Sequence, residues 1–144
     1  MEPLDLTKQP PRGPREALAG LPFLPRTIDK MRAALPGGNL GEYNDGHVGM
    51  STTVLKRIGI EPADLQAVVA SAKSESEVVD WVRKHGDVSA VQAVHEMVNI
   101  RMEDMEPERR QRVQTNYPIH KDVPSGVLAD ILEADDAALF SNRA

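Results

Sequence analysis

Apolar residues recur along this chain at the three- and four-residue intervals of a helix face. Leu24, Ile28, Met31 and Leu35 form one such stripe, opened by Pro25 and stopped by Pro36-Gly37-Gly38. Leu65, Val68, Val69 and Ala72 repeat the pattern behind Pro62. Val78, Trp81, Val82 and His85 follow the capping box Ser74-x-x-Glu77, with Gly86 read as a left-handed stop and Trp81 as a core-edge residue. Val91, Val94, Val98 and Met102 mark a longer helix capped by Asp87 or Ser89. Val127, Leu128, Ile131 and Leu132 define a last helix, expected to end near Ala134 because Asp135 and Asp136 oppose its dipole.

Other stretches are less regular. Met50, Val54 and Ile58 fit a short helix behind Ser51, although Thr52-Thr53-Val54 also fits a strand. Pro107 starts a charged helix with few apolar residues, expected on the surface. Residues 36–49 read as a glycine-rich loop. Residues before proline avoid the helical region, so the chain through Pro11 is expected to be extended, and Pro14 to open a short helix ending at Gly20. The pattern predicts an all-α fold: a single-domain helical bundle of about six to eight short helices over residues 1–144. An extended proline-rich N-terminal arm, residues 1–13, is expected to pack on it. The expected core is Leu24, Ile28, Met31, Leu65, Val68, Val69, Val78, Val82, Val91, Val94, Val98, Leu128 and Ile131.

Composition sharpens this picture. Aromatics are 3% of 144 residues, so the core has to be aliphatic, which favours helices over a sandwich. Cysteine is absent, which removes disulfides, thiol catalysis and cysteine-ligated metals, and fits a cytoplasmic location. There is no secretory leader and no apolar run long enough for a bilayer, so no membrane partner is expected. The net charge of −5 argues against a nucleic-acid partner. Yet residues 1–32 carry six basic and four acidic side chains, making that region locally cationic.

Three segments resemble the opening of a bacterial family of unknown function, number 5069 in the DUF series. They are Pro11-Arg12-x-Pro14, Leu24-Pro25-Arg26-x-Ile28-Asp29-Lys30-x-Arg32-Ala33 and Gly41-Glu42-Tyr43. Ile58-Gly59-Ile60 and the acidic-capped helix ending in Trp81-Val82 are similar to that family's middle. The resemblance covers most of the chain and is most specific over residues 10–43. After Gly-Glu-Tyr the family runs into a segment richer in aromatics, whereas this chain has Asn44-Asp45-Gly46-His47. The family has no established activity. The resemblance therefore implies an architecture and a set of residues, not a function.

Those residues define the candidate chemistry. Arg26 and Lys30 fall opposite the Leu24/Ile28/Met31/Leu35 stripe, beside Asp29. With Arg12 folded over that face, the guanidiniums would grip a carboxylate or phosphate. Alternatively, Asp29 and Glu42 would neutralise Arg12, Arg26 and Lys30 in an internal network. Arg26 is expected to contact Asp29 or Glu42, with Tyr43 packed nearby. The leading reading is a non-catalytic domain that binds a small anionic ligand or a protein partner through Arg12, Arg26, Asp29, Lys30, Glu42 and Tyr43. A second reading is a small enzyme acting on an anionic substrate, with Glu42 and Tyr43 as acid–base groups. A third is a metal-dependent helical-bundle enzyme. Glu42, Asp45, His47 and His95 are the available metal ligands, but His95-Glu96-x-x-Asn99 lacks the second histidine of the helical zinc motif. His95 is expected to be partly buried and hydrogen-bonded instead. No metal and no cofactor is expected.

Overall fold

The computed structural model describes residues 1–141. It is mostly helical: α1 Leu24–Ala33, α2 Gly49–Arg57, α3 Pro62–Ser71, α4 Glu75–His85, α5 Val91–Val98, α6 Pro107–Asn116 and α7 Leu128–Phe140. Short 3₁₀ turns at Val88–Ala90, Met102–Asp104 and Pro118–Asp122 join them.

The all-α expectation fails at one place. Residues 14–20 are not a helix. A small antiparallel hairpin, β1 Ala17–Leu18 and β2 Leu21–Pro22, pairs Ala17 with Pro22 and Leu18 with Leu21. Its turn residues Ala19 and Gly20 both have positive φ, 52° and 76°, which closes a two-residue hairpin and excludes helix. Phe23 also takes a left-handed φ of 74° at the head of α1, which turns the chain from strand into helix.

Residues 21–30 are buried without a break. The helix α1 is thus covered on its polar face as well as its apolar one. It packs on α2 and α3, and β2 packs on α5. Residues 4–6 run beside the loop after α1, with Leu6 N–H donating to the Asn39 carbonyl at 2.8 Å. Pro11 and Pro14 are buried.

The core includes eleven of the thirteen positions expected from periodicity, while Val68 and Val91 sit half-buried at its edge. It also takes in Leu6, Leu21, Phe23, Leu55 and Ile60, which no helical stripe marked. Trp81 packs against the core edge and stacks on His85, ring centroids 4.6 Å apart.

Three boundaries differ from expectation. The helix α5 is shorter than its stripe, stopping at Val98, with Met102 in a separate 3₁₀ turn and Asp87 capping the turn Val88–Ala90 ahead of it. Gly86 ends α4 with an extended backbone, φ −102°, rather than a left-handed one. A Cβ there would press on Ile60 Cδ1 at 2.9 Å. The helix α7 runs on through Asp135 and Asp136 to Phe140, because the carboxylate of Asp136 finds a cation in the interior.

Candidate functional site

Arg26 and Lys30 lie one turn apart on α1, so both point to the same side. Arg26 is 2% exposed. Its Nη1 donates to Asp136 Oδ2 at 2.7 Å and its Nη2 to Asp136 Oδ1 at 2.9 Å. The Tyr43 hydroxyl donates to the same Asp136 Oδ1 at 2.9 Å, and Arg26 Nη1 also reaches the Arg12 carbonyl at 3.2 Å. The guanidinium sits over the rings of Phe23 and Tyr43, 5.9 and 5.7 Å from their centroids. Tyr43 does pack against Arg26, but the acid is Asp136 of α7, not Asp29 or Glu42. Glu42 is exposed and forms no ion pair among the described residues.

Asp29 is claimed by Arg12. The Arg12 backbone N–H donates to Asp29 Oδ2 at 2.8 Å, and Arg12 Nη2 donates to Asp29 Oδ1 at 2.9 Å. The same guanidinium binds Glu75 at the start of α4, Nη1 to Oε2 at 3.2 Å. Burial works against the Arg12 charge, but the hydrogen bonds to Glu75 and Asp29 outweigh it and raise its pKa. Arg12 thereby ties residues 10–13 to both α1 and α4.

Lys30 is 5% exposed, with Nζ 5.8 Å from the Phe23 ring centroid. Burial and the neighbouring Arg26 charge lower its pKa to about 7, against the pull of Asp136 and Asp45. Of the residues expected to form a cationic surface, Arg26, Asp29 and Lys30 are therefore interior.

The loop after Tyr43 lies against α1. Gly46 has φ 83°, and a Cβ there would touch Met31 Cγ at 3.3 Å and the Thr27 carbonyl at 3.4 Å. Asx turns hold the loop: Asn44 Oδ1 accepts from Gly46 N–H at 3.0 Å, and Asp45 Oδ1 accepts from His47 N–H at 2.9 Å. The His47 ring meets Gln66 Oε1 at 3.2 Å. Asp45 and His47 are thus occupied locally. Among the described residues, no group of three or more histidines and carboxylates is gathered as for a metal. His95 is exposed rather than partly buried, on the rim of an open hollow with Glu96 and Arg101. It faces out because Val94 and Val98 take the buried side of α5.

Beside the loop is a cleft of about 600 Å³ between residues 44–53 and α6. From α6 it receives Arg109, Arg112, Val113 and Asn116, the three- and four-residue spacing of one helix face. Opposite stand Asn44, His47, Val48, Met50, Thr52 and Thr53, with Tyr117 and Leu128 also contributing to the lining. Among the described residues, two arginines and no carboxylate line this space. Arg109 is half-buried, and among the described residues it has no hydrogen bond or ion pair. Burial and then the Arg112 charge push its pKa down. The Thr52 hydroxyl is buried with no partner among the described residues. Tyr117 holds its proton more tightly through burial; Arg26 opposes this effect and Asp135 and Asp136 reinforce it.

The sequence matches the family described as Domain of unknown function (DUF5069) over residues 8–137, most of the chain. The chain belongs to this family. No curated protein matches it. The DUF5069 match takes in the α1 network and the whole cleft. Sequence reading of this DUF5069 chain missed Arg109, Arg112, Tyr117 and Thr52. A helix with so few apolar residues reads as a solvated face. The available signal was the alignment of Arg109 and Arg112 with Val113, the one buried residue of α6.

Proposed function

We propose that this chain is a binding domain for a small anionic ligand, held in the cleft between residues 44–53 and α6. The observation that carries this reading is Arg109. It is a half-buried guanidinium beside a second arginine, with no counter-charge in the lining among the described residues. Arg109 is partly removed from water beside the exposed Arg112; the two cations repel each other, and an anion between them would relieve that repulsion. A guanidinium fork suits carboxylate or phosphate oxygens. Asn44, Asn116, Thr53 and His47 add polar groups around the same space. This moves the anion from the expected residues 12–43 to the cleft, with Arg26 and Tyr43 in a supporting role behind it.

Binding is favoured over acid–base catalysis because the Tyr43 hydroxyl is committed to Asp136, and burial first, then the Asp136 charge, pushes its pKa upward. A cytoplasmic setting accords with the absence of cysteine. The test is thermal unfolding with a panel of sulfate, inorganic phosphate and citrate at constant ionic strength, on wild type and Arg109→Met. A ligand present at 100 times its Kd stabilises by about 2.7 kcal/mol. Saturable stabilisation by at least one anion is expected in wild type and not in the variant. Equal responses in both proteins would count against the cleft.

A further inference from the structure

We propose that the ligand is an amphipathic organic anion: one carboxylate or phosphate head on a short apolar body. This rests on the anion-binding reading and narrows it. The cleft is two-sided in chemistry. Arg109 and Arg112 supply charge from α6, while Val48, Met50, Val113 and Leu128 supply apolar surface in the same space. Val48 is 55% exposed, and it is the exposed large hydrophobic among the described residues. A lone exposed valine needs no explanation on a soluble protein. This one shares a lining with the half-buried Met50 and the buried Val113 and Leu128, so its exposure adds to the apolar surface of the cleft. The volume, about 600 Å³, is on the scale of sites for small organic molecules. A bare inorganic anion would leave the apolar wall in contact with water. An attached apolar body would cover it.

The test is isothermal titration calorimetry on the full chain, using inorganic phosphate, butyl phosphate, hexyl phosphate, acetate, hexanoate and the neutral control hexanol. Each buried methylene is expected to tighten binding roughly three- to fourfold. Kd should fall from inorganic phosphate to butyl to hexyl phosphate, or from acetate to hexanoate, and hexanol should bind far more weakly than either anion. Val48→Ser should reduce the gain per methylene. Equal affinity for inorganic and hexyl phosphate, with acetate equal to hexanoate, would overturn the amphipathic class while leaving the anion site standing. An undiminished methylene gain in Val48→Ser would likewise overturn the apolar wall. Hexanol binding as tightly as hexyl phosphate, or no anion binding at millimolar concentration, would overturn the anion reading itself.

Discussion

Arg26 and Asp136 are 110 positions apart in sequence, yet they close a two-pronged ion pair at 2.7 and 2.9 Å in the interior. The pair locks α7 onto α1; Tyr43 and the Arg12 carbonyl add hydrogen bonds to it, while Arg26 Nε is buried without a partner among the described residues. Removing one partner of a buried pair strands the other charge, which costs about 3–5 kcal/mol. Arg26→Met and Asp136→Asn are each expected to lose that much in urea unfolding, a large part of a stability of roughly 5–15 kcal/mol. The double variant should cost less than the two losses added together. Full additivity would mean that the pair is not coupled.

Tyr43→Phe removes a single hydrogen bond to a charged acceptor. An expected loss of about 1.5–3 kcal/mol follows. It should largely vanish in the Asp136→Asn background, and a loss of the same size in both backgrounds would contradict the contact.

The helices were legible because their stripes repeat locally: α1, α3, α4, α5 and the start of α7 follow from three- and four-residue spacing. The Ser74 cap was legible too, with Glu77 N–H donating to Ser74 Oγ at 3.4 Å, although the Glu77 carboxylate accepts from Lys73 N–H at 3.0 Å rather than from Ser74 N–H as the full box would have it. Asp136 was not, because the sequence shows an acidic residue late in a helix and says nothing of a cation 110 residues away. The hairpin was hidden for a related reason. Ala19 is a helix former by propensity, yet it takes a left-handed φ of 52° in the turn ahead of β2, which packs on α5. At the site, residue types were readable but pairings were not. Arg12, Asp29, Arg26 and Tyr43 were singled out together, and the structure does bring them together, by way of Asp136 and Glu75. The cleft arginines carry only their alignment with Val113, a weak signal in a helix with so few apolar residues.

Arg12 should behave as a structural tie. Asp29→Asn weakens the charge of an acceptor whose side chain is 7% exposed, whereas Glu75 is 31% exposed. Asp29→Asn is therefore expected to destabilise more than Glu75→Gln, which should stay within about 1 kcal/mol as partly exposed pairs do. Denaturant midpoints in the reverse order would contradict this arrangement.

Lys30 gives the protein a pH signature. Its pKa falls from 10.5 to about 7 on folding, so between these values the unfolded chain binds the extra proton. Stability then rises as pH climbs from about 7 toward 10.5. Tyr43 and Tyr117 act with the opposite sign. Their pKa values are raised above 10.0, so the stability they hold is lost as pH rises beyond that value. The melting temperature should climb from pH 6 to pH 9 in wild type and stay flatter in Lys30→Met, which should melt above wild type at pH 6. Equal slopes in the two proteins would show that the Lys30 amine is not the titrating group.

The central claim is that Arg109 receives an anion in the cleft, and the most direct measurement is the arginine Nε–Hε region of the ¹H–¹⁵N spectrum during titration with hexyl phosphate. The Arg109 signal, assigned by its loss in Arg109→Lys, is predicted to shift and saturate with the Kd found by calorimetry, while the buried Arg26 signal stays in place. An Arg109 signal that does not move while hexyl phosphate saturates the protein would contradict the account.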